Sequence, residues 1–124
     1  MNPEFTTKLA TLIISIFFLS SCASYGPFQV NANRRNLDHL RVGMSKSEVL
    51  SVMGAPYQRE VFPGQDNIPV EVLLYQTKFV GMAIPPSDEE LTPIVFRNNQ
   101  LIGWGRNFYD TTKKYEFKHD IEIR

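Results

Sequence analysis

The run from Val42 to Pro56, Val-Gly-Met-Ser-Lys-Ser-Glu-Val-Leu-Ser-Val-Met-Gly-Ala-Pro, carries both the start and the stop signals of one short helix. Ser45 suits the N-cap and Glu48 follows three residues later. The hydroxyl can therefore accept from the Glu48 amide while the carboxylate accepts from the Ser45 amide, the two halves of a capping box. Met44 before the cap and Val49 in the first turn can clasp as a hydrophobic staple. Gly54 can take the left-handed conformation that closes a helix, and Pro56 cannot continue one, so the helix is expected over Lys46 to Met53. Two turns are marginal in water, which means this helix must pack. Val49, Val52 and Met53, flanked by Leu50, form the stripe that does so, with Lys46, Ser47 and Ser51 opposite. The cap accounts for Ser45 and Glu48 without any catalytic role.

A chain of 124 residues with 43% hydrophobic content suits one packed domain, and a formal net charge of zero provides no steering toward nucleic acid. The pairs Arg34-Arg35 and Lys113-Lys114 are too isolated to form a phosphate-binding patch. Cys22 is the one cysteine, which excludes an intramolecular disulfide and a cysteine-based zinc cluster. No cofactor or metal ligand set is recognisable. His39 stands beside Asp38 with no second ligand near it, and His119-Asp120 lies in a charged tail.

Position gives Cys22 its meaning. Met1 to Lys8 are mostly polar, and Leu9 to Leu19 are apolar apart from Thr11 and Ser15, the layout of a secretory signal. The apolar run is about eleven residues, short of the roughly twenty that span a bilayer. Leu19-Ser20-Ser21-Cys22 follows, and it resembles the lipobox of bacterial lipoproteins. That resemblance implies a signal peptide over residues 1–21 and acylation of Cys22, with the chain held on a membrane by several acyl groups. Ala23 and Ser24, with no aspartate, then imply the outer membrane. Residues 22–33 read as an extended tether, and 34–124 as the folded domain.

Within that domain Asn36 can cap a first short helix containing Leu37, Leu40 and Arg41, stopped by Gly43. Strand patterns start at Tyr57: a first strand ends at Phe62, a turn runs from Gln65 to Pro69, and Val70 to Val80 form a long strand. Gly81 to Glu90 make a loop. Leu91 to Arg97 and Gln100 to Phe108 form a hairpin about Asn98-Asn99, whose residues tolerate positive φ. Gly103 and Gly105 beside Trp104 suit a bulge or close packing against a helix. Tyr115, Phe117, His119, Ile121 and Ile123 alternate with charged residues to the end, a period of two that predicts a strand. That strand either joins the protein's own sheet or adds to the sheet of a partner.

The helix ending in Leu40-Arg41-Val42-Gly43-Met44, the capped helix ending in Gly54-Ala55-Pro56 and the Phe96-to-Leu101 hairpin together resemble the SmpA/OmlA family of BamE-like outer-membrane lipoproteins. The resemblance covers Cys22 to Phe108. It implies an α+β fold, two short helices packed on an antiparallel sheet of three to four strands, related to that of β-lactamase inhibitor proteins. It also implies a non-catalytic module facing the periplasm, with an envelope protein as partner, barrel-assembly components among the candidates. The alternative of a different class is an inhibitor or ligand-binding lipoprotein acting on a periplasmic enzyme.

Overall fold

The computed structural model describes residues 3–4, 26–81 and 84–122, the side chains of 119–122 excepted, so Cys22 and all but residues 3–4 of the expected signal segment lie outside it. Its elements are helix α1 (Pro27–Asn36), a 3-10 turn (Leu37–His39), helix α2 (Lys46–Met53), strands β1 (Gln58–Phe62), β2 (Val70–Gln76), β3 (Leu91–Arg97) and β4 (Gln100–Trp104), and helix α3 (Arg106–Glu122). The fold is α+β, with the four strands antiparallel in the order β1-β2-β3-β4. Among the described residues no helix is long and apolar enough to cross a membrane.

Helix α2 has the expected bounds, and its ends are built as the residue types dictate. The Ser45 amide donates to Glu48 Oε2 at 2.7 Å, and the Glu48 amide donates to Ser45 Oγ at 3.3 Å. Gly54 closes the helix at φ +75° and its amide donates to Leu50 O at 2.8 Å. Val49 and Met53 are wholly buried against Leu73, Tyr75, Ile94, Phe96 and Leu101 on one face of the sheet, with Leu40 completing that core. The Tyr75 hydroxyl donates to Gly54 O at 2.8 Å, so the strand also holds the helix terminus.

The segment before α2 pairs with β4 through an isolated antiparallel bridge, Ser45 opposite Gln100. The Gly43 amide donates to Leu101 O at 2.8 Å, the Leu101 amide returns to Met44 O at 2.8 Å, and the Lys46 amide reaches Asn99 O at 3.0 Å. A backbone edge that would otherwise invite pairing is thereby covered. Asn98 and Asn99 turn the hairpin at φ 50° and 65° as expected.

Three expectations are corrected. The tether does not extend to residue 33, because α1 begins at Pro27, and the short helix expected after Asn36 is a 3-10 turn, Leu37–His39, that Asn36 precedes without a side-chain capping bond. Val30 and Asn33 are buried, and the Asn33 side-chain amide donates to Gln76 O at 2.9 Å while Asn36 donates to Val52 O at 2.9 Å. Polar residues that suggest a solvated tether are thus used in tertiary hydrogen bonds. The strands β2 and β4 stop at Gln76 and Trp104, short of Val80 and Phe108. Most consequentially, the tail is helical as far as Glu122. It covers the second face of the sheet, where Tyr109 packs with Phe62, Val70, Val72, Leu74, Leu91 and Val95. The sheet is therefore a middle layer with α1 and α2 on one side and α3 on the other.

Candidate functional site

The residues singled out by sequence are spread over the molecule rather than gathered into one site. Gly43, Met44 and Ser45 lie at the hairpin end of the sheet with the start of α2. Gly54 and Pro56 lie at the opposite end, with Val49 in the core between them. Accepting the Ser45 amide, and then its hydroxyl, holds the Glu48 carboxyl below its ordinary range, so this charge is spent on the cap. His39 is exposed, and the His119 and Asp120 side chains lie outside the description. Among the described residues no group of three or more His, Cys, Asp or Glu is placed to hold a metal.

What the fold does assemble is the end where β2 stops and β3 starts. The segment between them is tied at both limbs to one buried carboxylate. Val80 donates its amide to Glu90 Oε1 at 2.9 Å, and Ser87 donates its amide to Glu90 Oε2 at 2.8 Å. The amides of Thr77 and Lys78 reach Glu90 O at 2.9 and 3.3 Å, and the hydroxyls of Thr77 and Thr92 share a hydrogen bond of 2.6 Å. The Val80 amide, then that of Ser87, hold the Glu90 carboxyl below its ordinary value against the opposing effect of burial. At this clamp the apolar side chains of Phe79 and Val80 are each more than half exposed, and Ile84, between its limbs, is 96% exposed.

Beside the loop is an open cleft of about 530 Å³ bordered by Lys78, Asp88, Glu89, Thr92, Arg106 and Asp110. Arg106 closes one wall, its Nη2 donating to Asp88 O at 2.7 Å and to Leu91 O at 3.3 Å, so the first turn of α3 is pinned to the start of β3. Farther along α3 the Tyr109 hydroxyl donates to Glu60 Oε2 at 2.7 Å, and burial followed by that bond raises its pKa. The cleft carries cations and carboxylates in mixture, with no nucleophile–base pair among the contacts. A smaller groove of about 300 Å³ lies at the other end, between Arg59, Val61, Glu71 and Asn99.

Sequence reasoning passed over Glu90, although the signal was present. Ser87 and Glu90 repeat the spacing of Ser45 and Glu48, and the same reciprocal cap forms around the 3-10 turn Asp88–Glu90. Because the folded carboxyl lies below the ordinary glutamate value of 4.5, its contribution to holding the loop is complete above that value and is lost as the pH falls from there through the folded one. Glu90→Gln is expected to speed hydrogen exchange at the Val80 and Ser87 amides at least about tenfold, the order associated with losing a hydrogen bond to a charged acceptor. Protection that survives the substitution would refute the clamp.

A family model described as "Protein of unknown function (DUF3192)" matches residues 27–111, from the first residue of α1 into the first half of α3. No curated protein and no solved structure matches the chain.

Proposed function

We propose that this chain, which belongs to the DUF3192 family, is a lipid-anchored, non-catalytic module on the periplasmic face of a bacterial outer membrane, resembling the accessory subunits of outer-membrane protein assembly. The observation that carries this reading is Leu19-Ser20-Ser21-Cys22 placed directly after the apolar run. A thiol there is the acceptor of a diacylglyceryl group, and the amine exposed by cleavage before it takes a further acyl chain. Several chains anchor stably where one is marginal. A binding role is supported by the use made of the perturbed groups. Glu48 and Glu90 are both consumed in caps, and what projects into solvent is apolar side chain on a clamped loop.

Cys22→Ser is expected to abolish incorporation of labelled palmitate and to leave the longer precursor uncleaved. Labelling that persists in this variant would overturn the anchoring reading. Crosslinking in intact envelopes followed by extraction in detergent then tests the partner. Recovery of barrel-assembly components supports the assembly role, and recovery of one soluble hydrolase transfers support to the inhibitor reading.

A further inference from the structure

We infer that the open edge of β1 accepts an extended segment of another protein as a further strand, with an apolar residue of that segment opposite Val61 and an acidic one opposite Arg59. The inference rests on the binding role proposed above and is independent of acylation at Cys22.

Of the sheet's two edges, the chain itself meets one. Residues 43–46 bond to β4, whereas among the described residues β1 pairs with β2 and with nothing on its other side. In an antiparallel strand alternate residues direct their amide and carbonyl away from the partner, so an edge of this kind is a template for another strand. The side chains of such a guest fall on the two faces of the sheet in turn. Arg59 and Val61 stand opposite Leu73 and Glu71, on the face that carries α2, while Gln58, Glu60 and Phe62 stand on the face that carries α3.

The α2 face has a place for what the guest brings. Val61 is 56% exposed, and the groove of about 300 Å³ that it borders is also walled by Ile68, Pro69 and Phe96. Arg59 and Lys46 share the Glu71 carboxylate at 3.0 and 3.2 Å, which leaves the three groups with one positive charge in excess. The Arg59 side chain is 59% exposed and open to a second carboxylate. Main-chain bonds at a sheet edge supply affinity, and pockets for alternate side chains supply specificity. Here the pocket is apolar and the charge beside it is positive.

A second copy of the chain is a poor guest. Three symmetric antiparallel registers overlap at least half of β1. Centred on Glu60 or on Arg59, that residue faces its own copy, and like charges directly opposite are destabilising. Centred on Val61, Arg59 falls opposite Pro63, which has no amide to give.

The probe is the capped peptide acetyl-Ser-Thr-Val-Lys-Glu-Thr-Ser-amide, whose Val and Glu meet Val61 and Arg59 when it runs antiparallel to β1. It is titrated into the full chain in detergent solution, and amide hydrogen exchange is read residue by residue. With free peptide at about ten times its Kd, exchange should slow about tenfold at alternate residues of β1 and stay unchanged over β4. N-methylation separates backbone pairing from side-chain contact alone. Methylating one alternate set of peptide residues should abolish binding, and methylating the other should leave it intact. Replacing the peptide's Glu by Lys should weaken binding about fivefold, and in Arg59→Gln the two peptides should bind alike. No slowing at β1, or binding that both methylated forms retain, overturns the inference. So does protection of the whole of β1 in the free chain. If that protection grows with protein concentration, a second copy holds the edge, and if it does not, the chain's own terminal segment does. Palmitate labelling at Cys22 is untouched by any of these outcomes and tests the anchor separately.

Discussion

A chain ending at Asp110 is expected to melt about 15 °C below the full chain, a loss of about 3 kcal/mol at the 4–8 °C per kcal/mol typical of a domain of roughly 60–100 residues. The reason is Glu116, buried on α3 with its side chain 4% exposed. Its Oε1 pairs with Arg97 Nη1 at 3.0 Å, and its Oε2 accepts the Gln65 amide at 2.6 Å. Removing one partner of a fully buried pair costs about 3–5 kcal/mol. Arg97 is 26% exposed and can recover water, so about 1–2 kcal/mol is the appropriate share. Truncation also removes Phe117, stacked on Phe62 at 6.3 Å, and bares part of a buried Phe62, together worth about 1–2 kcal/mol. Glu116→Gln in the full chain should show about half of the effect, since it keeps the helix and loses the charge. A truncated chain that melts within a few degrees of the full one would show that the end of α3 takes no part in the fold.

The same helix shows why part of the fold was hidden from sequence. Tyr115 to Ile123 alternate apolar and charged residues, and that period describes a strand. Yet Tyr115 is 62% and Phe117 46% exposed, so the supposed apolar stripe is not the buried one. Among the described residues of α3 the buried positions are Tyr109 and Glu116, seven apart, which is a helical stripe anchored by a charge. Its partners Arg97 and Gln65 lie 19 and 51 residues away. No local pattern announces that a glutamate will be the anchoring residue. α1 was missed for a similar reason, since Asn33 and Asn36 read as solvated until Gln76 and Val52 supply their acceptors.

What was legible depended on neighbours in sequence. The Ser45-Glu48 box, the Gly54 stop and the Asn98-Asn99 turn are local devices, and each formed where its residues stand. The candidate site was less legible because its clamp joins residues 80, 87 and 90 across a loop. Its cap spacing could be read, whereas the second limb at Val80 could not.

Gly103 joins the two kinds of information, and from it comes the other large effect. Its position beside Trp104 suggested a bulge or a close approach, and both occur. Phe96 pairs with Leu101 and Val95 with Gly103, so Ile102 is the extra residue. That shift directs the α-hydrogen of Gly103 toward α3, where a Cβ would stand 2.6 Å from Cε1 and Cζ of Phe108. No real side chain sits that close, so either the ring turns away or the first turn of α3 lifts. The ring is 36% exposed and has room to turn, which alone would cost about 0.5–1.5 kcal/mol. Arg106, however, ties that turn to Asp88 O and Leu91 O and resists lifting. Gly103→Val, with two further methyl groups, is therefore expected to destabilise by about 2–3 kcal/mol, the upper part of the range for overpacking. The clash has one named partner, so it should vanish with it. In a Phe108→Ala background the same substitution should be close to neutral, giving a coupling of at least about 1 kcal/mol between the two positions. Denaturant unfolding of the four chains measures this directly. If the two substitutions simply add, the glycine is not there to admit the ring, and the packing of α3 on β4 has a different cause.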